Sequence, residues 1–272
     1  MGHNTITSTT KLCAIIGNPI EHSLSPLIHN AAFEHLKLNY VFLAFEVEHL
    51  REAVSGIRAL NLKGVSVTIP HKVEVMDYLD DIEEVARRIG AVNTILNQEG
   101  RLLGYNTDWS GAIKALEGKV ELKNKKTILL GAGGAARAIA FGLKEKGADL
   151  TILNRTVKKA EVLASELNCQ WGGLELVESF KPDILINTTS LGMYPRVDDL
   201  PVKKEFLKDM LVFDIVYNPL KTHLIRKAEQ NGCATIPGVE MFINQAALQF
   251  ELWTGKKAPL GLMKKVVVEK LS

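Results

Sequence analysis

Residues 127–159 read TILLGAGGAARAIAFGLKEKGADLTILNRTVKK, and no other stretch restricts the fold as strongly. The apolar run Thr127 to Leu130 predicts a buried strand. Gly131, Gly133 and Ala136 then occupy the three small-residue positions of a strand-turn-helix that receives dinucleotides. Gly131 permits a sharp strand exit, Gly133 lets main chain approach a pyrophosphate, and Ala136 lets the next helix pack closely on its strand. The start of that helix offers free N–H groups and partial positive charge to phosphates. Leu150 to Leu153 supplies a second strand at the distance a parallel strand-helix-strand unit requires. The pattern is that of a Rossmann half.

The end of the second strand specifies the cofactor. A site for NAD places Asp or Glu about 20 residues after the glycines to hold the ribose 2′-hydroxyl. This chain has Asn154, Arg155 and Thr156 there, followed by Lys158 and Lys159. Such a pocket favours a 2′-phosphate, which a guanidinium grips through two parallel hydrogen bonds and a carboxylate would repel. The implied cofactor is NADP(H). A solvated charged turn is the alternative, and the register of strand and glycines weighs against it.

The remainder of the 272-residue chain has room for a second domain, with 46% hydrophobic and 24% charged residues as in ordinary globular proteins. A net charge of +2 spread along the sequence gives no nucleic-acid surface. No apolar stretch approaches 18 residues, and the polar start MGHNTITSTT lacks a signal-peptide core. Gly2 suggests myristoylation only weakly, because Ile6 stands where Ser or Thr is wanted. Cys13, Cys169 and Cys233 are isolated and odd in number, which fits buried thiols in a reducing cytoplasm. The histidines form no metal-binding spacing, so no metal is expected.

Strand and helix alternate through the N-terminal part. Leu12 to Ile16, Val41 to Val47 and Val65 to Ile69 read as strands; Ser25-Pro26 and Leu50 to Leu60 open or form helices. A hairpin follows, Val92 to Leu96 and Leu102 to Asn106, around the turn Asn97 to Gly100. A helix near Gly111 to Leu116 and the polar stretch Gly118 to Lys126 put a domain boundary near residues 110–124. Asp183 to Asn187 and Leu211 to Val216 add buried strands to a doubly wound parallel sheet. Glu240 to Trp253 forms a long final helix and Leu262 to Leu271 a short terminal one. The expected class is α/β: an N-terminal substrate domain with a mostly parallel sheet, residues 1–110 with 240–272, and a Rossmann-like NADP domain, residues 111–239.

Hydride chemistry needs a proton partner for the substrate oxygen. Lys72 lies just beyond the Val65 to Ile69 strand, where open α/β sheets place ligands; read alone it is more readily an ordinary exposed lysine, because most lysines are solvated. Asp108 immediately precedes a helix and suits either an N-cap or a partner that orients the Lys72 ammonium. Ser23 and Ser25 offer hydroxyls for a substrate carboxylate beside a helix start, and Ser25 also suits capping with Pro26 at the first helical position. Thr68, Asn93 and Gln245 can hold hydroxyls without competing for protons. On the last helix Met241, Gln245, Leu248 and Leu252 share a face, so Gln245 points inward and needs a partner.

Taken in order, NPIEHSLSPLIHN, VSVTIPHK, GAVNTI, GYNTD, GAGGAAR, NRT, NTTSLGM and PGVEMFINQAALQFELWTG resemble the shikimate dehydrogenases over essentially the whole chain. The resemblance implies reversible NADPH-dependent reduction of 3-dehydroshikimate to shikimate, in aromatic amino-acid biosynthesis, by a substrate domain and a Rossmann domain flanking a cleft. It makes Lys72 and Asp108 the acid-base dyad and Ser23 and Ser25 the carboxylate hydroxyls. Thr68, Asn93, Gln245 and Tyr217 bind the substrate. Gly131, Gly133, Gly134, Ala135 and Ala136 contact pyrophosphate, while Asn154, Arg155, Thr156 and Lys159 face the 2′-phosphate. Thr188, Ser190, Met193, Ile215, Gly238 and Met241 line the nicotinamide side. Lys159 stands where many members have Arg, offering a point charge in place of a fork. The small-molecule substrate is the expected partner, and a homodimer is compatible with the sequence, which leaves oligomeric state open. A quinate-oxidising relative of mixed specificity and a dinucleotide-responsive regulatory module are the competing readings; retention of both Lys72 and Asp108 argues against the second.

Overall fold

The computed structural model describes residues 6–272; Gly2 and the first half of the polar start MGHNTITSTT lie outside the described residues. The chain divides into two compact units, one of residues up to Thr107 with Gln245–Lys270, the other of Asp108–Asn244 with the last two residues.

The first unit runs β1 (Lys11–Gly17), α1 (Ser25–His35), β2 (Tyr40–Glu46), α2 (Leu50–Ala59), β3 (Gly64–Val67), β4 (Asp81–Ile82), α3 (Glu84–Ile89), β5 (Thr94–Gln98) and β6 (Arg101–Tyr105). Its sheet has the order β2-β1-β3-β5-β6-β4. β1 pairs in parallel with β2 and β3, and β4 with β6; β5 runs antiparallel to both of its neighbours. The reversal comes from a tight hairpin. Gln98 pairs with Arg101, so only Glu99 and Gly100 form the loop, at φ +55° and +91°. Two successive positive φ values make the turn that matches strand twist, and the Gly100 N–H donates to Asn97 Oδ1 at 2.8 Å. The loop is therefore shorter than the expected turn from Asn97, and β5 starts later than Val92.

One side of this sheet packs an aromatic cluster of Phe33, Phe42, Phe250 and Trp253 around His29. The imidazole stacks on Phe42 at 4.5 Å and is fully buried, and neither ring nitrogen makes a hydrogen bond of good geometry. Burial lowers its pKa to about 3, with the Gln249 side chain opposing the shift. Trp253 Nε1 donates to Ile95 O at 3.0 Å, and its ring lies so close to Gly64 that a Cβ there would collide with it.

The second unit comprises α4 (Asp108–Glu117), β7 (Lys126–Leu130), α5 (Gly134–Glu145), β8 (Asp149–Leu153), α6 (Val157–Leu167), β9 (Gln170–Gly172), β10 (Ile184–Asn187), β11 (Leu211–Asp214), α7 (His223–Gln230), β12 (Ala234–Ile236) and the start of α8 (Gly238–Thr254). Most of α8 and of α9 (Leu260–Leu271) belongs to the first unit. All strands are parallel in the order β12-β11-β10-β7-β8-β9, the 6-5-4-1-2-3 order of a doubly wound dinucleotide fold. Both faces are buried, which explains the unbroken apolar runs: Leu129, Ile186 and Phe213 point into one core, Ile128, Leu130, Leu185 and Val212 into the other. Several expected boundaries move: α4 begins at Asp108 rather than Gly111, β10 at Ile184 rather than Asp183 and α8 at Gly238 rather than Glu240, while β11 ends at Asp214 rather than Val216.

Among the described residues no helix is long and apolar enough to cross a membrane, and no group of three metal-ligating side chains forms. All three cysteines are free; Cys13 and Cys233 are buried as expected, whereas Cys169 is only half-buried.

Candidate active site

In the second unit, chain geometry at the end of β7 follows from its glycines. Gly131 sits at φ +115°, and a Cβ there would collide with Thr188 Oγ1. Its N–H donates to Leu153 O at 2.8 Å, and the Thr188 hydroxyl donates to Leu130 O at 2.6 Å, so the turn is tied to both neighbouring strands. Gly133 is the extended N-cap of α5, and open space surrounds the position its Cβ would take. Gly134, Ala135 and Ala136 form the first turn, which carries no acidic residue to neutralise the helix end. Ala136 is fully buried in the core, as close packing of helix on strand requires. A side-chain-free approach to an uncompensated helix N-terminus fits a pyrophosphate.

At the end of β8, the Asn154 N–H donates to Gly172 O at 3.1 Å and its Nδ2 to Thr156 O at 2.9 Å. Thr156 is the N-cap of α6. Lys158 pairs with Glu161 at 3.0 Å. Arg155 and Lys159 are exposed and, among the described residues, make no ion pair or side-chain hydrogen bond. The strand end thus carries two uncommitted cations, a donor set suited to a phosphate dianion.

Thr188, Ser190 and Met193 lie on the loop after β10, and Ile215 and Tyr217 on the segment after β11. Gly238, at the start of α8, abuts that segment: a Cβ there would collide with the carbonyl oxygens of Ile215 and Val216. Tyr217 stacks on Phe242 at 4.2 Å, and Met241 is buried in the same core as Ile236 and Ala136.

In the first unit, β3 stops at Val67, short of the expected Ile69, because Thr68 turns the chain. The Thr68 N–H donates to Ile16 O at 3.0 Å and the His71 N–H to Thr68 O at 2.9 Å. His71 Nε2 lies 2.8 Å from Val47 O, and the Val92 N–H donates to Lys72 O at 2.7 Å. Half-buried Lys72 thereby has its main chain fixed beside that of Asn93. Asn93 is buried and its orientation is determined: Oδ1 accepts from the Thr107 N–H at 2.7 Å and the Thr94 hydroxyl at 2.8 Å. Its Nδ2 therefore donates, to Thr107 Oγ1 at 3.0 Å and to Gln245 Oε1 at 3.4 Å, which supplies the partner an inward Gln245 needs. Gln249, one turn on, accepts from the Ser66 hydroxyl at 2.8 Å and donates to Thr94 Oγ1 at 2.9 Å. Sequence reasoning passed over Gln249; its spacing of four from Gln245 was the available signal.

Ser23 and Ser25 share the loop entering α1, where the Ser25 N–H donates to Ser23 Oγ at 3.3 Å. The capping role expected of Ser25 is not found: Leu24 is the N-cap, without a side-chain cap bond, and Ser25 and Pro26 are already helical. Asp108 likewise is the first helical residue of α4, buried to 4% exposure.

Three family models match in succession: a shikimate dehydrogenase substrate-binding domain over residues 15–95, a shikimate/quinate 5-dehydrogenase over 113–217 and a shikimate 5′-dehydrogenase C-terminal domain over 238–268. A shikimate dehydrogenase (NADP(+)) of Methanococcus aeolicus is 45% identical over 276 residues, covering 97% of this chain and 99% of its own. The chain belongs to the shikimate dehydrogenase family. Its fold agrees with solved family structures: a shikimate dehydrogenase in complex with NADP+ superposes with a TM-score of 0.93 at 44% identity, covering 98% of each chain. The Thermus thermophilus shikimate 5-dehydrogenase, in complex with NADP(H) and shikimate, gives 0.87 at 36% identity over 95% of this chain and 99% of its own.

Proposed function

We propose that the protein catalyses the reversible, NADPH-dependent reduction of 3-dehydroshikimate to shikimate. Within a family chain that lacks an acid after β8, the uncommitted pair Arg155 and Lys159 carries the cofactor assignment. NADPH supplies the hydride when bound, with Gly131, Gly133, Gly134, Ala135 and Ala136 at its pyrophosphate and Asn154, Arg155, Thr156 and Lys159 at its 2′-phosphate. Thr188, Ser190, Met193, Ile215, Gly238 and Met241 serve the nicotinamide side. Residues 1–110 with 240–272 chiefly serve the substrate, and residues 111–239 the cofactor.

Ser23 and Ser25 donate their hydroxyls to the substrate carboxylate. Thr68, Asn93, Tyr217 and Gln245 hold the ring hydroxyls. As the carbonyl carbon accepts hydride, the Lys72 ammonium donates a proton to the oxygen, converting C=O to CH–OH and leaving a neutral amine that solvent reprotonates. Asp108 is the acidic member of the proposed dyad. The expected setting is the cytoplasm, and size-exclusion chromatography separates a monomer from a homodimer.

Absorbance of the reduced nicotinamide, followed with shikimate and with quinate and with NADP and NAD separately, tests substrate and cofactor together. Turnover of shikimate with NADP, and much slower turnover of the other combinations, is expected. Efficient oxidation of quinate with NAD would instead make the protein a quinate dehydrogenase.

A further inference from the structure

Asp214 ends β11 with 0% exposure, and no ion pair offsets its burial among the described residues. Every near polar atom donates to it: Thr222 Oγ1 at 2.6 Å, Asn187 Nδ2 at 3.0 Å and the Val216 N–H at 3.1 Å. Asn187, its partner in the β10–β11 register, passes the constraint onward. Its Oδ1 accepts from the Thr189 hydroxyl at 2.7 Å and the Thr189 N–H at 3.1 Å, and Thr189 Oγ1 accepts from the Leu191 N–H at 3.2 Å. On the other side Thr222 Oγ1 accepts from the Ile225 N–H and so also caps α7. The two segments meet again where the Tyr194 N–H donates to Asn218 O at 3.3 Å. One carboxylate thus joins the loop bearing Thr188, Ser190 and Met193 to the segment bearing Ile215 and Tyr217.

We infer that Asp214 is a positioning residue, which touches neither substrate nor cofactor but holds these two segments in register so that they present a nicotinamide-sized wall. The inference rests on the NADP(H) reading above. A buried carboxylate with several donors and no counter-charge is a costly way to end a strand, and the donors here all belong to these segments or to the α7 cap. The isosteric Asp214→Asn keeps the shape but leaves one accepting oxygen where there were two, so an NH2 faces either the Thr222 hydroxyl or the purely donating Asn187 Nδ2 and Val216 N–H.

The test titrates NADPH by its fluorescence against the parent, Asp214→Asn, Thr222→Val and Thr222→Ser, with 2′,5′-ADP, which lacks nicotinamide, as the comparison ligand. Asp214→Asn and Thr222→Val are expected to weaken NADPH by about tenfold or more and to lower kcat by on the order of 10²-fold. Binding of 2′,5′-ADP stays within about twofold, and Thr222→Ser, which keeps the hydroxyl, stays near the parent. If Asp214→Asn shows no cooperative thermal unfolding, the Thr222 pair decides. A parent that binds and oxidises NADPH, with variants that bind both ligands as the parent does or lose both equally, overturns the inference alone. A parent that does not bind NADPH removes the cofactor reading, and the inference with it.

Discussion

The two units bury ionisable groups in contrasting ways. In the first, His29 lies among aromatic rings with no well-formed hydrogen bond, and is held neutral. In the second, Asp214 is equally enclosed but receives three donors; burial nevertheless raises its pKa to about 6, and the three donors pull the other way. The first is a packing element that happens to titrate; the second is a hydrogen-bonded hub. Their linkage to folding has opposite sign. His29 is lowered from 6.5 to about 3, so its stabilising contribution is complete above 6.5 and is lost as pH falls through that window. Asp214 is raised from 3.8 to about 6, so its contribution is complete below 3.8 and is lost as pH rises through 6. Mild acid therefore destabilises the first unit through His29 and relieves the second through Asp214.

The contrast extends to the proposed function, in which Lys72 of the first unit donates the proton and the second unit holds the cofactor. The largest expected effect is on chemistry: Lys72→Ala should lower kcat by about 10² to 10⁴, with NADPH affinity unchanged. Single-turnover reduction of 3-dehydroshikimate at saturating NADPH measures it, and a near-normal rate would remove Lys72 from the mechanism. Gly131→Ala should do the reverse, destabilising the second unit and its NADPH site by roughly 2 to 4 kcal/mol, since the new methyl combines a positive φ with a clash on Thr188. Thermal unfolding with and without NADPH reads both; an unchanged Tm would show that the turn relaxes freely. The smallest effect separates the buried groups. His29→Leu should abolish about 2 kcal/mol of the stability that the parent loses between pH 6.5 and 5, as measured by urea unfolding at the two pH values. Equal losses in both proteins would mean that His29 does not govern acid sensitivity.

The second unit was the more legible in sequence, again for a physical reason. A parallel sheet covered on both faces needs unbroken apolar strands, and its glycine turn admits few residue types, so Thr127 to Leu153 was readable without coordinates. The first unit hides more. Its short β4 (Asp81–Ile82) and α3 (Glu84–Ile89) carry too few residues for periodicity to emerge. The hairpin register depended on two positive φ values that Asn97 to Gly100 did not uniquely specify. Ser25 looked like a cap because Pro26 follows it, yet the helix starts one residue earlier than that pairing implies. Asp214 was invisible as a functional candidate because it is a single polar residue in an apolar run, and only tertiary packing reveals what it bonds; for Gln249 the spacing from Gln245 was the one signal.

The division of labour is tested most directly by fluorescence titration of NADPH and NADH against the parent and Arg155→Ala. The parent should prefer NADPH, and the variant should lose about 1.5 to 3 kcal/mol of NADPH affinity, roughly tenfold or more, with NADH binding nearly unchanged. Equal weakening of both cofactors, or a parent that binds NADH as tightly as NADPH, would contradict the claim that the cationic end of β8 reads the 2′-phosphate.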